Sequence, residues 1–307
     1  MGVWIVRPGM LLTVQDHGRW GYQRFGVPVS GPMDGASHRL ANLLVGNRPS
    51  AATLEVTLVG PELEFDDDTL FAVTGAEFDL QTGGAATAMN STVRARRGHR
   101  LVFGERRHGA RAYVAVAGGF DVPLVLGSRA THLGSRIGGF EGRGLKSGDR
   151  LPIGQEIAAN VREGETRSAT VAMPIGGSRV RLLLGPDNGL FDPTTFHTSQ
   201  RARYVLTTQS DRMGYRLRGE RLVPRRQTEL ISTATPVGSV QVPPSGYPLV
   251  LMADRQTSGG YPRIGTVISA DLPVTGQLAP GDWIEFESCS DRLAYAALIA
   301  QERTLMA

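Results

Sequence analysis

From Thr53 to Gly154 short apolar and β-branched runs alternate with turn residues, and this cadence constrains the fold more than any other feature of the chain. Leu54-Glu55-Val56-Thr57-Leu58, Leu70-Phe71-Ala72-Val73, Leu101-Val102-Phe103 and Tyr113-Val114-Ala115-Val116 each have the length of one strand. Runs of this size bounded by glycine, proline and aspartate read as strands of a β-barrel or sandwich. With 39 glycines and 18 prolines in 307 residues, long helices have few uninterrupted stretches. A second β region opens at Arg179-Val180-Arg181-Leu182-Leu183-Leu184.

Two short helices are expected. One follows Asp34, a suitable N-cap, and ends at Gly46. The other runs from Arg292 to Arg303, with Leu293, Ala296, Ala297, Leu298 and Ala300 as its apolar set and Ser290 or Asp291 as its cap. The polar stretch Ala158 to Thr170 has no apolar periodicity and reads as a linker. The expectation is therefore a mainly β protein of two domains, 1–165 and 166–307, with a few short helices. The halves echo each other. Each has a strand followed by Gly-Gly-aromatic (Gly118-Gly119-Phe120, Gly259-Gly260-Tyr261), and each later has a Gly-Asp turn into a strand (Gly148-Asp149, Gly281-Asp282).

Charge excludes little by itself. The formal net charge is +4, and the arginines scatter without a basic helix or a base-stacking motif, so no nucleic-acid partner is expected. No apolar run reaches membrane-spanning length, and the N-terminus lacks a secretory pattern. The single cysteine, Cys289, rules out an internal disulfide and suits the cytoplasm. Dispersed histidines and one cysteine give no metal site. The stretch Gly139-Phe140-Glu141-Gly142-Arg143-Gly144-Leu145-Lys146-Ser147 approaches a phosphate-binding loop, but Leu145 displaces Lys146 and a turn follows where a helix is needed. There is no Gly-x-Ser-x-Gly elbow. The only lysine, Lys146, sits in Leu-Lys-Ser, so biotin is not carried on this chain.

Candidate chemistry concentrates in VQVPPSGYPLVLMADRQTSGGYPRIG, residues 240–265. An apolar strand, Leu249 to Met252, delivers an acid, an amide, a hydroxyl and two glycines to one loop, as a small-molecule site requires. Asp254 is the candidate base or water-orienting group, and Gln256 and Thr257 can read an amide edge. Gly259 and Gly260 let backbone N–H groups approach a substrate. Gln241 and Gly246 shape the same place from the Pro243-Pro244 turn. Arg212 can hold a carboxylate through two parallel hydrogen bonds, or serve as a structural ion pair. Asp34 is a second candidate acid, or only the helix cap, and Tyr261 either lines the pocket or packs in the core.

Five strings occur in a family's order: QDHGRWGYQRFGVPVSGPMD, GGFDVPLVLGSRATHLG, SDRMGYRLRG, VQVPPSGYPLVLMADRQTSGGYPRIGTVISAD and QLAPGDWIEF. In these the chain resembles the biotin-dependent carboxyltransferase, or allophanate hydrolase subunit 2, family over residues 3–287. The resemblance implies two cyclophilin-like β-barrel domains. It also implies a KipI-like subunit 1 partner and, in 5-oxoprolinase members, a LamB/YcsF-like third subunit. The implied activity is ATP-dependent opening of the 5-oxoproline lactam to glutamate, with the ATP site open to lying on a partner. Two alternatives share the motifs: a carboxyltransferase component that passes a carboxyl from carboxybiotin to urea or a similar amide, and a non-catalytic antagonist of a KipI-like kinase inhibitor. The chain contains neither a biotin carrier nor a biotin carboxylase, which favours the 5-oxoprolinase reading.

Overall fold

The computed structural model describes residues 1–156, 161–167, 172–192, 202–225 and 230–306. The ends of the expected linker, 158–160 and 168–170, lie outside them. Two compact units emerge: Met1–Trp20 with Ser30–Met173, and Pro174–Ala307 with Gly21–Val29.

The first unit is a ten-stranded, barrel-like sheet made of β1 (Gly2–Arg7), β2 (Leu11–Gln15), β3 (Thr53–Thr57), β4 (Glu62–Phe65), β5 (Thr69–Thr82), β6 (Ala85–Thr87), β7 (Val93–Ala95), β8 (Arg100–Val116), β9 (Gly118–Phe120) and β10 (Arg150–Glu156). The 17-residue β8 is its spine and pairs with β3, β4 and β5. Register decides which residues share a face. Val14, Leu54, Val114 and Val73 form one cross-strand row, and with Leu12, Val56, Phe65 and Phe71 they build the apolar core. Each such side chain, fully buried, contributes about 1.5–3 kcal/mol.

The opposite face is buried too, but it is polar. Thr13, Glu55, Tyr113 and Thr74 align across β2, β3, β8 and β5, all almost fully buried. Helix α1 (Gly35–Leu44) belongs to the same unit and contacts β3, β5 and β8. As expected, Asp34 caps it, accepting from the Ser37 backbone N–H at 2.9 Å. Gly46, at φ +72°, turns the chain just beyond its end.

The second unit is a closed barrel of β11 (Gly177–Leu184), β12 (Tyr204–Leu206), β13 (Gly214–Arg218), β15 (Ser239–Gln241), β16 (Leu249–Leu251), β18 (Arg263–Val267) and β19 (Trp283–Ser288). A two-stranded ribbon joins β14 (Thr233–Ala234) to β17 (Ser258–Gly259). Closure comes from β19, which runs parallel to β11 and antiparallel to β12. Val180, Leu182, Tyr204, Leu217, Val240, Val250, Ile284 and Phe286 are buried at 2% exposure or less.

Helix α2 (Leu272–Gly276) is one short segment, and α3 (Asp291–Met306) closes the described chain. Helix α3 runs three residues beyond the expected end because Leu305 in its last turn is buried. Its inner face also differs from the expected apolar set: Leu293, Ala296 and Ala300 are exposed, while Ala294, Ala297, Leu298 and Gln301 are half-buried. Ser290 is the cap, its Oγ accepting from the Leu293 N–H at 3.4 Å.

The Gly-Asp echo has a shared physical basis. Gly148 and Gly281 both take positive φ, +88° and +97°. Asp149 and Asp282 then each accept from the backbone N–H three residues earlier, at 2.7 and 2.8 Å.

Candidate functional site

Strands β13 and β16 pair with Gly214 opposite Leu251, so the residues just past that ladder meet. The Asp254 N–H donates to the Arg212 carbonyl at 2.8 Å. The Arg212 side chain then reaches Asp254 through two bonds, Nε to Oδ2 and Nη2 to Oδ1, each 3.0 Å. Side-chain exposures of 5% and 4% make this a fully buried pair. The sequence offers Arg212 for a substrate carboxylate and Asp254 as a base. The geometry pairs them with each other instead, so both hold the loop in place and neither meets water as a free group.

The loop beyond is strapped down by Thr235. Its carbonyl accepts from Arg255 Nε at 2.7 Å, its hydroxyl donates to the Gln256 carbonyl, and its N–H donates to the Thr257 carbonyl at 3.1 Å. Burial lowers the Arg255 guanidinium below its ordinary pKa. Thr235 was not legible as a site residue; the second threonine of Ser-Thr-Ala-Thr-Pro carries no pattern.

Two glutamine amides converge on Gly259. A β-carbon placed there would lie 2.9 Å from Gln241 Nε2, 3.3 Å from Gln256 Nε2 and 3.2 Å from Thr235 Cγ2. Gln241 is 2% exposed and its Oε1 has no hydrogen-bond partner among the described residues. Gln256 is exposed. The sequence-level grouping of Gln241, Gln256 and Gly259 is thus a spatial one.

The remaining candidates scatter. Thr257 is half-buried beside them. Gly260 faces the Leu230 carbonyl and Ser232 Oγ. Gly246, at φ +78°, completes the Pro243 turn against Arg221 and Leu222, a backbone role. Tyr261 is 45% exposed, so it is not a core residue.

Asp34 lies in the first unit, within the buried polar face. Besides capping α1, it accepts from Ser37 Oγ at 2.6 Å. Its backbone N–H donates to Tyr113 Oη, which in turn donates to Glu55 Oε2, both at 2.8 Å. Burial, then the carboxylates of Glu55 and Asp34, push the Tyr113 phenol well above its ordinary pKa. His38, fully buried, bonds Thr53 Oγ1 through Nδ1 at 2.9 Å. Burial, with His17 as the next cause, lowers its pKa to about 3. Glu55 and Tyr113 were missed because Thr-Leu-Glu-Val-Thr alternates like a strand with one wet face, and here that face is covered.

A cavity of about 850 Å³ also lies in the first unit, lined by Asn47, Arg48, Gly118, Gly119, Asp121 and Arg129 among others. None of the sequence candidates lines it. Arg129 there is engaged by the Val122 carbonyl and Asp121 at 2.8 and 2.7 Å. Arg129 is thus already matched by groups of its own unit.

Among the described residues no three His, Cys, Asp or Glu side chains gather as a metal ion needs. No described helix is long and apolar enough to cross a membrane. The stretch from Gly139 to Ser147 turns at Gly148 into β10, not into a helix.

Residues 25–288 match the family described as carboxyltransferase domain, subdomain A and B. The chain is 42% identical to the C subunit of 5-oxoprolinase from Escherichia coli, over 97% of this chain and 95% of that one. It is 32% identical to urea amidolyase of Saccharomyces cerevisiae over 92% of this chain, which is 16% of that longer protein. The crystal structure of the K. lactis urea amidolyase superposes with a TM-score of 0.93 at 31% identity, covering 99% of this chain and 20% of that one.

Proposed function

The chain belongs to the carboxyltransferase family of subdomains A and B, and on that premise we propose that it is the amide-recognising subunit of an ATP-dependent 5-oxoprolinase complex. The observation that carries this reading is the end-to-end similarity to the 5-oxoprolinase C subunit, 42% over nearly the whole of both chains. The glutamine pair supports it. A lactam presents one N–H and one carbonyl on adjacent atoms, and the side-chain amides of Gln241 and Gln256, each with a donor and an acceptor, lie together beside Gly259.

The reaction so read consumes one lactam, two waters and one ATP and yields glutamate, ADP and phosphate: one water opens the lactam and the other is taken up in the conversion of ATP to ADP and phosphate. This chain's part is to bind and orient. The Arg212–Asp254 pair and Thr235 fix the loop, and Gln241 and Gln256 align the lactam edge so that its carbonyl carbon is presented for attack. Two partners, one KipI-like and one LamB/YcsF-like, complete the complex and supply the nucleotide site.

The test is a coupled assay for glutamate and ADP with the three subunits together and each omitted in turn. Both products should form only in the full mixture. No turnover there, or undiminished turnover without this chain, overturns the reading. The similarity to urea amidolyase supports a second reading, carboxyl transfer to an amide nitrogen held by the same loop. Activity that requires a biotin carrier and is blocked by avidin would select it.

A further inference from the structure

We propose that the Arg255 guanidinium is an anion site, and that the anion it holds is the carboxylate of the substrate. The inference rests on the lactam reading above and deepens it, because 5-oxoproline carries a carboxylate beside its amide and urea carries none.

Arg255 is a buried cation without a counter-ion. It is 8% exposed. Its Nε donates to the Thr235 carbonyl at 2.7 Å, and among the described residues its side chain makes no other hydrogen bond and no ion pair. The acid beside it in sequence, Asp254, is already engaged by Arg212 through two 3.0 Å bonds. Other arginines of this unit are far more exposed and still have an acid: Arg179 and Arg203 share Glu285, and Arg181 holds Asp271. Burial is the cause that lowers the Arg255 pKa, and no neighbouring carboxylate offsets it. A guanidinium nevertheless stays charged in a protein. Buried charges are paired in folded proteins, so one that lacks a protein partner points to a partner from outside.

The free end of the side chain is built to receive it. With Nε fixed on Thr235, Nη1 and Nη2 remain, and neither nitrogen is sealed off from solvent. Their edge presents two parallel donors, the fork that grips a carboxylate. The next residue along the loop, Gln256, is exposed. Thr235 also ties this fork to the amides: its Cγ2 lies 3.2 Å from the point beside Gly259 that the Gln241 and Gln256 amide nitrogens approach at 2.9 and 3.3 Å. In 5-oxoproline a single ring carbon separates the carboxylate from the lactam nitrogen. One small ligand can therefore lay its carboxylate on Arg255 and turn its amide edge to the loop that carries Gln256. A site that holds a charge this way rejects the analogue lacking it, because the cation is then left buried and alone.

The experiment titrates the assembled complex by calorimetry with 5-oxoproline, with 2-pyrrolidinone, which is the same lactam without the carboxylate, and with cyclopentanecarboxylate, which keeps the carboxylate and lacks the amide. Wild type is compared with Arg255→Met, which removes the charge, and Arg255→Lys, which keeps the charge without the fork. In wild type, 5-oxoproline should bind at least about tenfold more tightly than 2-pyrrolidinone, and cyclopentanecarboxylate should bind. In Arg255→Met the preference should collapse to near unity with 2-pyrrolidinone binding unchanged, and Arg255→Lys should recover part of it. Wild type that binds 2-pyrrolidinone as tightly as 5-oxoproline, or binds neither carboxylate, overturns the assignment whether or not the variants fold. A folded Arg255→Met that keeps the preference overturns it too. Glutamate formation is scored separately. Carboxylate binding that depends on Arg255, in a complex that makes no glutamate, refutes the 5-oxoprolinase reading and leaves this site standing. Glutamate formation by Arg255→Met with an unchanged KM refutes this site and leaves that reading standing.

Discussion

Arg212 and Asp254 face each other through two 3.0 Å bonds inside the second unit, each with about a twentieth of its side chain exposed. The pair lies at the point where β13 begins, β16 ends and the candidate loop starts. Its burial makes each partner dependent on the other.

Removing one partner should therefore be severe. Arg212→Met leaves a buried carboxylate alone, and Asp254→Leu leaves a buried guanidinium; each should lose about 3–5 kcal/mol. The double variant should recover much of that loss. Urea denaturation of all three measures it, and single variants within about 0.5 kcal/mol of wild type would show that the pair is dispensable.

Asp34→Ala should lower stability by about 1–2 kcal/mol, since it removes the α1 cap and the acceptor of Ser37 Oγ together. Asp34→Asn keeps a capping oxygen and should lose less. Circular dichroism melts of the two variants separate the outcomes. A catalytic role for Asp34 would instead show as lost turnover with an unchanged melt.

His38 makes stability depend on pH. In the folded chain its pKa is about 3, and unfolded it returns to the ordinary 6.5. Between these values the unfolded state takes up a proton that the folded state refuses, so stability is full above pH 6.5 and lost as pH falls. Well below pH 6.5 the slope approaches about 1.4 kcal/mol per pH unit. Denaturation midpoints of wild type and His38→Gln from pH 7 to 4.5 measure it; the variant's profile should be flatter by this amount.

Gly259→Ala should cost stability and bind poorly. Its methyl would lie 2.9 Å from the buried Gln241 amide and 3.2 Å from Thr235 Cγ2, which must give way, so stability should fall by about 1–3 kcal/mol. The two glutamine amides would be displaced, and 5-oxoproline affinity should fall. A thermal melt and a titration of the same sample read both, and unchanged affinity would place the amide elsewhere.

Much of the fold was legible in the sequence because the signals were local. Short apolar runs marked where strands lie, although Leu101-Val102-Phe103 and Tyr113-Val114-Ala115-Val116 prove to be two parts of the single strand β8; Asp34 and Gly46 bracketed α1, and the Gly148-Asp149 and Gly281-Asp282 turns were visible as dipeptides. The loop from Asp254 to Gly260 was legible for the same reason, since it is contiguous. What depended on long-range pairing was hidden. The Arg212–Asp254 pair joins residues 42 positions apart, and its mutual burial turned a candidate base and a candidate carboxylate clamp into a strut. The register shift between Val240 and Gln241, where β18 carries the extra residue Ile264, exists only in the pairing of the two strands. The polar face of the first sheet was invisible because Glu55 and Thr57 alternate as solvent-facing residues do; only the register with Tyr113 and the cover of α1 show it to be interior.

The most direct measurement is a crystal structure of the assembled complex soaked with 5-oxoproline. The account predicts lactam density in the second unit, with its amide edge against the loop that carries Gln256 beside Gln241. Density confined to the first-unit cavity beside Arg129, or to a partner protein of the complex, would contradict it.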